Sequence, residues 1–314
     1  MSKISVIGAG SVGATLANDL MVQGIASEIV LVDVNNKKAE GEALDIYQGA
    51  PFQSPARVQS GSYADTKDSD IVIITCGIAR KPGMSRLDLA QTNVDILKDV
   101  TAQVVPHAPD AIYVIVSNPV DVLTYVFTKL SGLPERQIIG SGTILDTSRL
   151  QTALAKRFFI SPKNVHAHVY GEHGDSSFVP WSLVHIANNH IDTYKESSPD
   201  KDRITWQQEY EEVEQFVKKS GGIIIENKGA TFYAVAMSVC HICKCIYSNA
   251  GTAITVSTMM HGEYGVDDVC LSVLNLVDRN GVRGKILNKM TDEEMARLQA
   301  SAAKLRSVID QIQY

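Results

Sequence analysis

Short runs of aliphatic and β-branched residues alternate with helical patterns through the N-terminal half of the chain. Residues 3–7 read as a buried strand, followed by apolar positions Ala14, Leu16, Ala17, Leu20 and Met21 at helical spacing, then by Glu-Ile-Val-Leu-Val over 28–32. Helical patterns over 37–48, 86–105 and 120–130 alternate with strand-like runs over 70–75, 112–116 and 138–140. This alternation predicts an α/β fold built on a doubly wound parallel sheet, with ligands at the carboxyl ends of its strands. After about residue 160 the texture changes. Short strands are expected over 165–169, 181–186, 253–259 and 270–277, and helices over 203–219 and 229–248. Thr291-Asp292-Glu293-Glu294 is a capping box that opens a last helix running through Leu298, Leu305 and Ile312. No linker-like tract separates the halves. The expected division is a dinucleotide-binding lobe over 1–145, with a substrate loop at 77–90, and an α/β substrate lobe over 146–314.

The first turn of this pattern carries chemistry. Gly8-Ala9-Gly10-Ser11-Val12-Gly13 follows one strand and opens a helix, and Asp33 ends the next strand. In such a motif Gly8 makes the tight turn, Gly10 lets the backbone approach a pyrophosphate, and Gly13 lets helix and strand pack closely. The helix N-terminus offers free N–H groups to the phosphates. A carboxylate at Asp33 takes ribose hydroxyls and repels a 2′-phosphate, so the expected cofactor is NAD rather than NADP.

Composition adds bounds. The 314 residues include 45% apolar side chains and carry a net charge of −6, which gives no general attraction to nucleic acid or to an anionic membrane. No apolar run approaches the ~18 residues of a spanning helix, and Met1-Ser2-Lys3 leads straight into the first strand without room for a signal peptide. Five cysteines without framework spacing fit a reducing cytoplasm. Cys240-His241-Ile242-Cys243-Lys244-Cys245 suggests a metal cluster at first sight, but it lies in an apolar helical pattern without a second ligand pair, so no metal is expected.

A second constellation lies further on. His173 sits in Gly171-Glu172-His173-Gly174-Asp175-Ser176, and an imidazole is suited to moving a proton near neutral pH. Asp146 and Arg149 are three residues apart, so on a helix both can face one cleft. Taken in order, Gly-Ala-Gly-Ser-Val-Gly, Arg80-Lys81-Pro82-Gly83-Met84-Ser85-Arg86, Ser117-Asn118-Pro119-Val120-Asp121, Leu145-Asp146-Thr147-Ser148-Arg149 and Gly171-Glu172-His173-Gly174-Asp175 resemble the L-lactate/L-malate dehydrogenase family over nearly the whole chain.

The resemblance implies a reaction in which hydride passes between NAD and C2 of a small 2-hydroxy or 2-oxo acid. It implies that His173 is the general acid/base, that Asp146 holds the imidazole and favours its protonated form, and that Arg149 clamps the substrate carboxylate. Arg86 would come with a closing loop to polarise the reacting carbonyl. Asn118 would orient the reacting oxygen and the nicotinamide, Gly77 and Val12 would line the cofactor, and Thr231 would stand beside the substrate. A homodimer or homotetramer is expected on the same ground.

The substrate is where the motifs divide. Arg80 and Met84 match the malate pattern, whereas Glu172, Trp181 and Thr231 look like the lactate branch. A desolvated arginine facing the methyl of pyruvate lacks a partner, but it pairs with the second carboxylate of oxaloacetate. Arg80 therefore favours L-malate/oxaloacetate, with L-lactate/pyruvate as the alternative that the rest of the chain favours. Gln151 stands where bisphosphate-activated relatives carry an arginine, although His166 matches their histidine, so no response to fructose 1,6-bisphosphate is expected. Two other readings are an NAD-dependent glycosidase, which would need a metal and a sugar cleft, and a silent NAD-binding module, which would not need Asp146, Arg149 and His173 together.

Overall fold

A computed structural model describes residues 2–53, 56–79, 83 and 85–314. Six strands, β1 (Lys3–Ile7), β2 (Glu28–Val32), β3 (Arg57–Ser60), β4 (Ile71–Ile74), β5 (Ile112–Ile115) and β6 (Ile138–Gly140), pair in parallel in the order β3-β2-β1-β4-β5-β6. Helices α1 (Ser11–Val22), α2 (Asn36–Gln48), α3 (Arg86–Val104) and α4 (Val120–Ser131) connect them. The strand order reverses between β1 and β4, so a crevice opens there at the carboxyl ends of the strands.

The alternation of side chains along the strands explains the layers. Ile4, Val6, Ile29 and Leu31 face α1, whereas Ile7, Val30, Val32 and Ile74 face α3 and α4. Both faces are buried, as a parallel sheet requires. The short strand β3, not anticipated from the sequence, reads Arg-Val-Gln-Ser and is recruited by pairing with β2 rather than by an apolar run.

The C-terminal half begins with α5 (Ile144–Phe158), which spans the expected division at 145/146. A small antiparallel sheet follows, from β7 (Val165–His166), β8 (His185–Ile186) and β9 (Asn189–His190). Then come α6 (Ile191–Ser197), α7 (Tyr210–Lys228) and α8 (Tyr233–Ser248). The hairpins of β10 (Thr252–His261), β11 (Asp267–Asp278) and β12 (Gly281–Lys285) precede the last helix, α9 (Asp292–Ile309). The long strands β10 and β11 do not form a sheet of their own. They extend the parallel sheet with antiparallel strands, giving nine in all, through the pairing of Ser257 with Gly140.

Several sequence expectations shift here. The helix expected over 203–219 starts only at Tyr210, because Gln208 has φ 61°, which a right-handed helix does not continue through, while Ile204 and Trp206 are buried ahead of it in irregular backbone. It continues past 219 to Lys228 and stops at Gly229, φ 85°. Residues 181–186 do not form one strand. Trp181–Leu183 makes a single helical turn, and the Trp181 indole donates to Glu214 at 2.9 Å. Asp146 lies inside the first turn of α5, whose N-cap is Thr143. Cys240 and Cys243 are buried on α8 against the sheet, where they act as small apolar side chains.

Candidate active site

The turn after β1 is built around close contacts. Gly8 has φ 110° and donates from its N–H to Val32 O at 2.7 Å. A Cβ on Gly13 would lie 1.8 Å from the Gly8 carbonyl oxygen, so only glycine lets α1 start here. At Gly10 a Cβ would meet nothing within 4 Å, which leaves open space directly above the turn. Gly10 caps α1 without a side-chain hydrogen bond, and Ala14 N–H is bonded back to Gly10 O. The N–H groups of Ser11, Val12 and Gly13 precede that first intrahelical bond and can serve an anion. Asp33 stands at the end of β2, accepting from Ala9 N–H at 2.7 Å and from Asn35 N–H at 2.8 Å. The open turn, the free helix start and the carboxylate fit a dinucleotide.

Across the crevice, Asn93 on α3 ties two neighbouring loops together. Its side chain accepts from Ile78 N–H at 2.8 Å and donates to Asn118 O at 2.7 Å. It also packs against Gly77, where a Cβ would come within 3.1 Å of Asn93 Oδ1. The Asn118–Pro119 peptide bond is cis, and Asn118 is exposed. Asn93 has no sequence signature, since an asparagine on a polar helix gives no local signal.

The structure brings His173, Asp146 and Arg149 together. His173 Nδ1 lies 2.5 Å from Asp146 Oδ2, and Arg149 Nη1 lies 2.9 Å from Asp146 Oδ1. One buried carboxylate thus serves both cations, with 8% of its side chain exposed against 25% for His173 and 14% for Arg149. Asp146 raises the His173 imidazole to about 9 by its charge, against the burial that opposes protonation. Burial alone would raise Asp146, but the charges of His173 and Arg149 hold it below the ordinary carboxylate range. Arg149 passes beside Gly221 on α7, where a Cβ would sit 3.3 Å from Nη2. Among the described residues, Asp146 is the only side-chain hydrogen-bond partner of the His173 imidazole and of the Arg149 guanidinium.

Arg86 is the first residue of α3 rather than part of the loop before it, and Ser85 and Asp88 form a capping box there. Its guanidinium meets Asp175, two residues beyond His173, at 2.5 Å, and both side chains are largely exposed. Thr231, half-buried, lies in the connection between α7 and α8. Arg80, Lys81, Pro82 and Met84 lie outside the described residues. Gln151 donates to Ala167 O at 3.3 Å, and His166 is exposed. Among the described residues no group of three or more His, Cys, Asp or Glu side chains could hold a metal ion.

Comparison with known proteins agrees with this geometry. Residues 2–140 match the model of the lactate/malate dehydrogenase NAD-binding domain, and residues 143–314 match that of the lactate/malate dehydrogenase α/β C-terminal domain. L-lactate dehydrogenase 1 of Clostridium acetobutylicum is 47% identical over 312 residues, covering 99% of this chain and 98% of the relative. The L-lactate dehydrogenase of Thermoanaerobacter pseudethanolicus is 45% identical over 315 residues, covering 99% of each. The crystal structure of the minor L-lactate dehydrogenase of Enterococcus mundtii superposes with a TM-score of 0.94 at 38% identity, covering 99% of this chain and 98% of that one. With an NAD-binding half, an α/β C-terminal half and relatives matched from end to end, this chain belongs to the lactate/malate dehydrogenase family of NAD-dependent oxidoreductases.

Proposed function

We propose that this protein interconverts an L-2-hydroxy acid and its 2-oxo acid, with His173 as the group that moves the proton. The observation that carries this reading is the shared carboxylate of Asp146, which holds both an imidazole and a guanidinium at one cleft. NAD, when bound, supplies the hydride chemistry; the chain supplies position and charge. Arg149 takes the substrate carboxylate with paired N–H groups. His173 Nε2 gives a proton to the carbonyl oxygen in one direction and takes it from the hydroxyl in the other. Arg86 leaves Asp175 to polarise that oxygen, Asn118 orients it, and Thr231 lines the substrate. Gly8, Gly10, Val12, Gly13, Asp33 and Gly77 receive the dinucleotide.

Pyruvate and L-lactate are the favoured pair, because relatives 45–47% identical over the full length are named for lactate. A specific residue favours a second reading. Arg80 would pair with the extra carboxylate of oxaloacetate, and it would face the methyl of pyruvate without a partner. Steady-state NADH oxidation with pyruvate and with oxaloacetate, in wild type and in Arg80→Gln, separates the two. Preference for pyruvate, left unchanged by the substitution, supports lactate. Preference for oxaloacetate, moved toward pyruvate by ~10²-fold in Arg80→Gln, supports malate. Activity with neither, despite NADH binding, would overturn the dehydrogenase reading.

Assembly as a homo-oligomer in the cytoplasm is part of the proposal. No helix among the described residues is long and apolar enough to cross a membrane. Leu44 and Tyr47 on α2, Phe52 just beyond it, and Tyr233 and Met237 on α8 are exposed apolar side chains of the kind that subunit contacts cover.

A further inference from the structure

Beside the Asp146 pair, a second carboxylate reaches the same loop from beneath. Asp121 is the second residue of α4, directly after the Asn118–Pro119 turn, and it is 2% exposed. Its Oδ2 accepts from the main-chain N–H of His173 at 2.7 Å, and its Oδ1 accepts from Ser257 Oγ at 2.6 Å. Ser257 is itself fixed. It is the residue of β10 that pairs with Gly140 of β6, and a Cβ on Gly140 would come within 2.9 Å of the Ser257 Cβ. The same serine crowds Gly142, where a Cβ would stand 2.7 Å from its N. The two glycines let the β6 turn approach Ser257 this closely, so the serine sits at a tight seam between β6 and β10.

We propose that Asp121 is a positioning residue for His173, carrying the rigidity of the sheet seam to the loop that holds the imidazole and adding a second negative charge behind it. The inference rests on the reading of His173 as the proton carrier. Two of its consequences are separable. The hydrogen bonds fix where the imidazole stands relative to Asp146, and the charge favours its protonated form. Burial pushes the Asp121 carboxyl up to about 6, so it is mainly ionised at neutral pH, helped by the start of α4. The other charged groups around His173 include Asp146 and Arg149 from α5, Glu172 and Asp175 on its own loop, Arg86 of α3 through Asp175, and Lys218 of α7 and Lys304 of α9 facing that loop's carboxylates. Around Asp121 they are His173, Glu172 and the Cys270 thiol of β11, which burial keeps protonated.

Asp121→Asn separates position from charge. Its amide oxygen can accept from His173 N–H while its NH₂ donates to Ser257, so the geometry stays and the charge goes. The His173 imidazole, titrated by NMR in the free full-length protein and assigned against His173→Asn, is expected to lose its proton at a pH lower by about half a unit or more in Asp121→Asn. Asp121→Ala removes both bonds, and kcat for oxo-acid reduction is expected to fall at least ~10-fold with NADH affinity retained, while Asp121→Asn recovers most of that loss. Ser257→Ala should act in the same direction but more weakly. An unmoved titration in Asp121→Asn overturns the role of the charge, and wild-type kcat in Asp121→Ala overturns the role in position. If Asp121→Ala fails to fold, Asp121→Asn and Ser257→Ala decide. A fully active His173→Asn would instead remove the underlying reading, an outcome distinct from any of these.

Discussion

Asp146 Oδ2 stands 2.5 Å from His173 Nδ1, joining the first turn of α5 to a loop 27 residues further along the chain. That pairing fixes which imidazole nitrogen faces the cleft, and it sets the pH range over which the proton can be given.

The first prediction follows from that range. On the proposed mechanism oxo-acid reduction needs protonated His173, so in the free enzyme kcat/KM for reduction should fall as pH rises through about 9, and hydroxy-acid oxidation should gain over the same interval. Asp146→Asn removes the charge that raises the imidazole, so both limbs should move to lower pH and turnover should drop by ~10²-fold or more. Coincident pH profiles for wild type and Asp146→Asn would refute the assignment.

The second concerns stability. Burial pushes His168 down to about 4 from an ordinary 6.5, and its Nδ1 has no partner among the described residues. Between those values the unfolded chain takes up a proton that the folded protein refuses. The folded state should therefore lose stability as pH falls from 6.5 toward 4, and His168→Asn should flatten that slope in urea titrations. His173 acts on the alkaline side. Its folded value is raised, so its stabilisation is complete below 6.5 and is lost as pH rises through about 9.

The third concerns the cofactor. Asp33→Ser should weaken NADH and relax the rejection of NADPH, because the carboxylate that repels a 2′-phosphate is gone. It also removes the acceptor of Ala9 and Asn35 N–H, so NADH affinity should fall by ~10-fold even where NADPH gains. Equal kcat/KM for NADH and NADPH in the wild type would count against Asp33.

The fourth concerns Arg86. The Arg86–Asp175 pair is exposed on both sides, so breaking it should change stability by less than ~1 kcal/mol. If Arg86 must leave Asp175 to reach the substrate, Asp175→Asn should lower KM for the oxo acid, whereas Arg86→Gln should lower kcat. An unchanged KM in Asp175→Asn, with stability also unchanged, would show that the pair does not compete with substrate.

Much of this arrangement could be read from the chain alone, for physical reasons that differ between residues. Gly8, Gly13 and Asp33 are bound to one another by local geometry within a strand-turn-helix-strand unit, so their spacing encodes their placement. Asp146 and Arg149 share a helix face, which their interval of three gives away. Asn93 and Asp121 were not legible as partners, because each acts through a hydrogen bond to backbone far along the chain. The late start of α7 also escaped the pattern, since Ile204 and Trp206 are buried by tertiary packing. Arg86 falls both in the expected 77–90 loop and at the start of the expected 86–105 helix; the capping box formed by Ser85 and Asp88 is the local signal that places it on the helix.

The seam between β6 and β10 bears on how the two matched halves could be separated. The boundary between the family models, at 140 and 143, coincides with the seam rather than with a linker. An N-terminal fragment ending there would lose the partner of β6, and Ile138–Gly140 would become an open edge with its peptide groups unpaired. The C-terminal fragment would carry β10 and β11, ten and twelve residues long, without the flat support they extend. Exchange of halves between relatives therefore requires that both sides of the Gly140–Ser257 contact be inherited together, which makes this chain a poor donor of interchangeable modules.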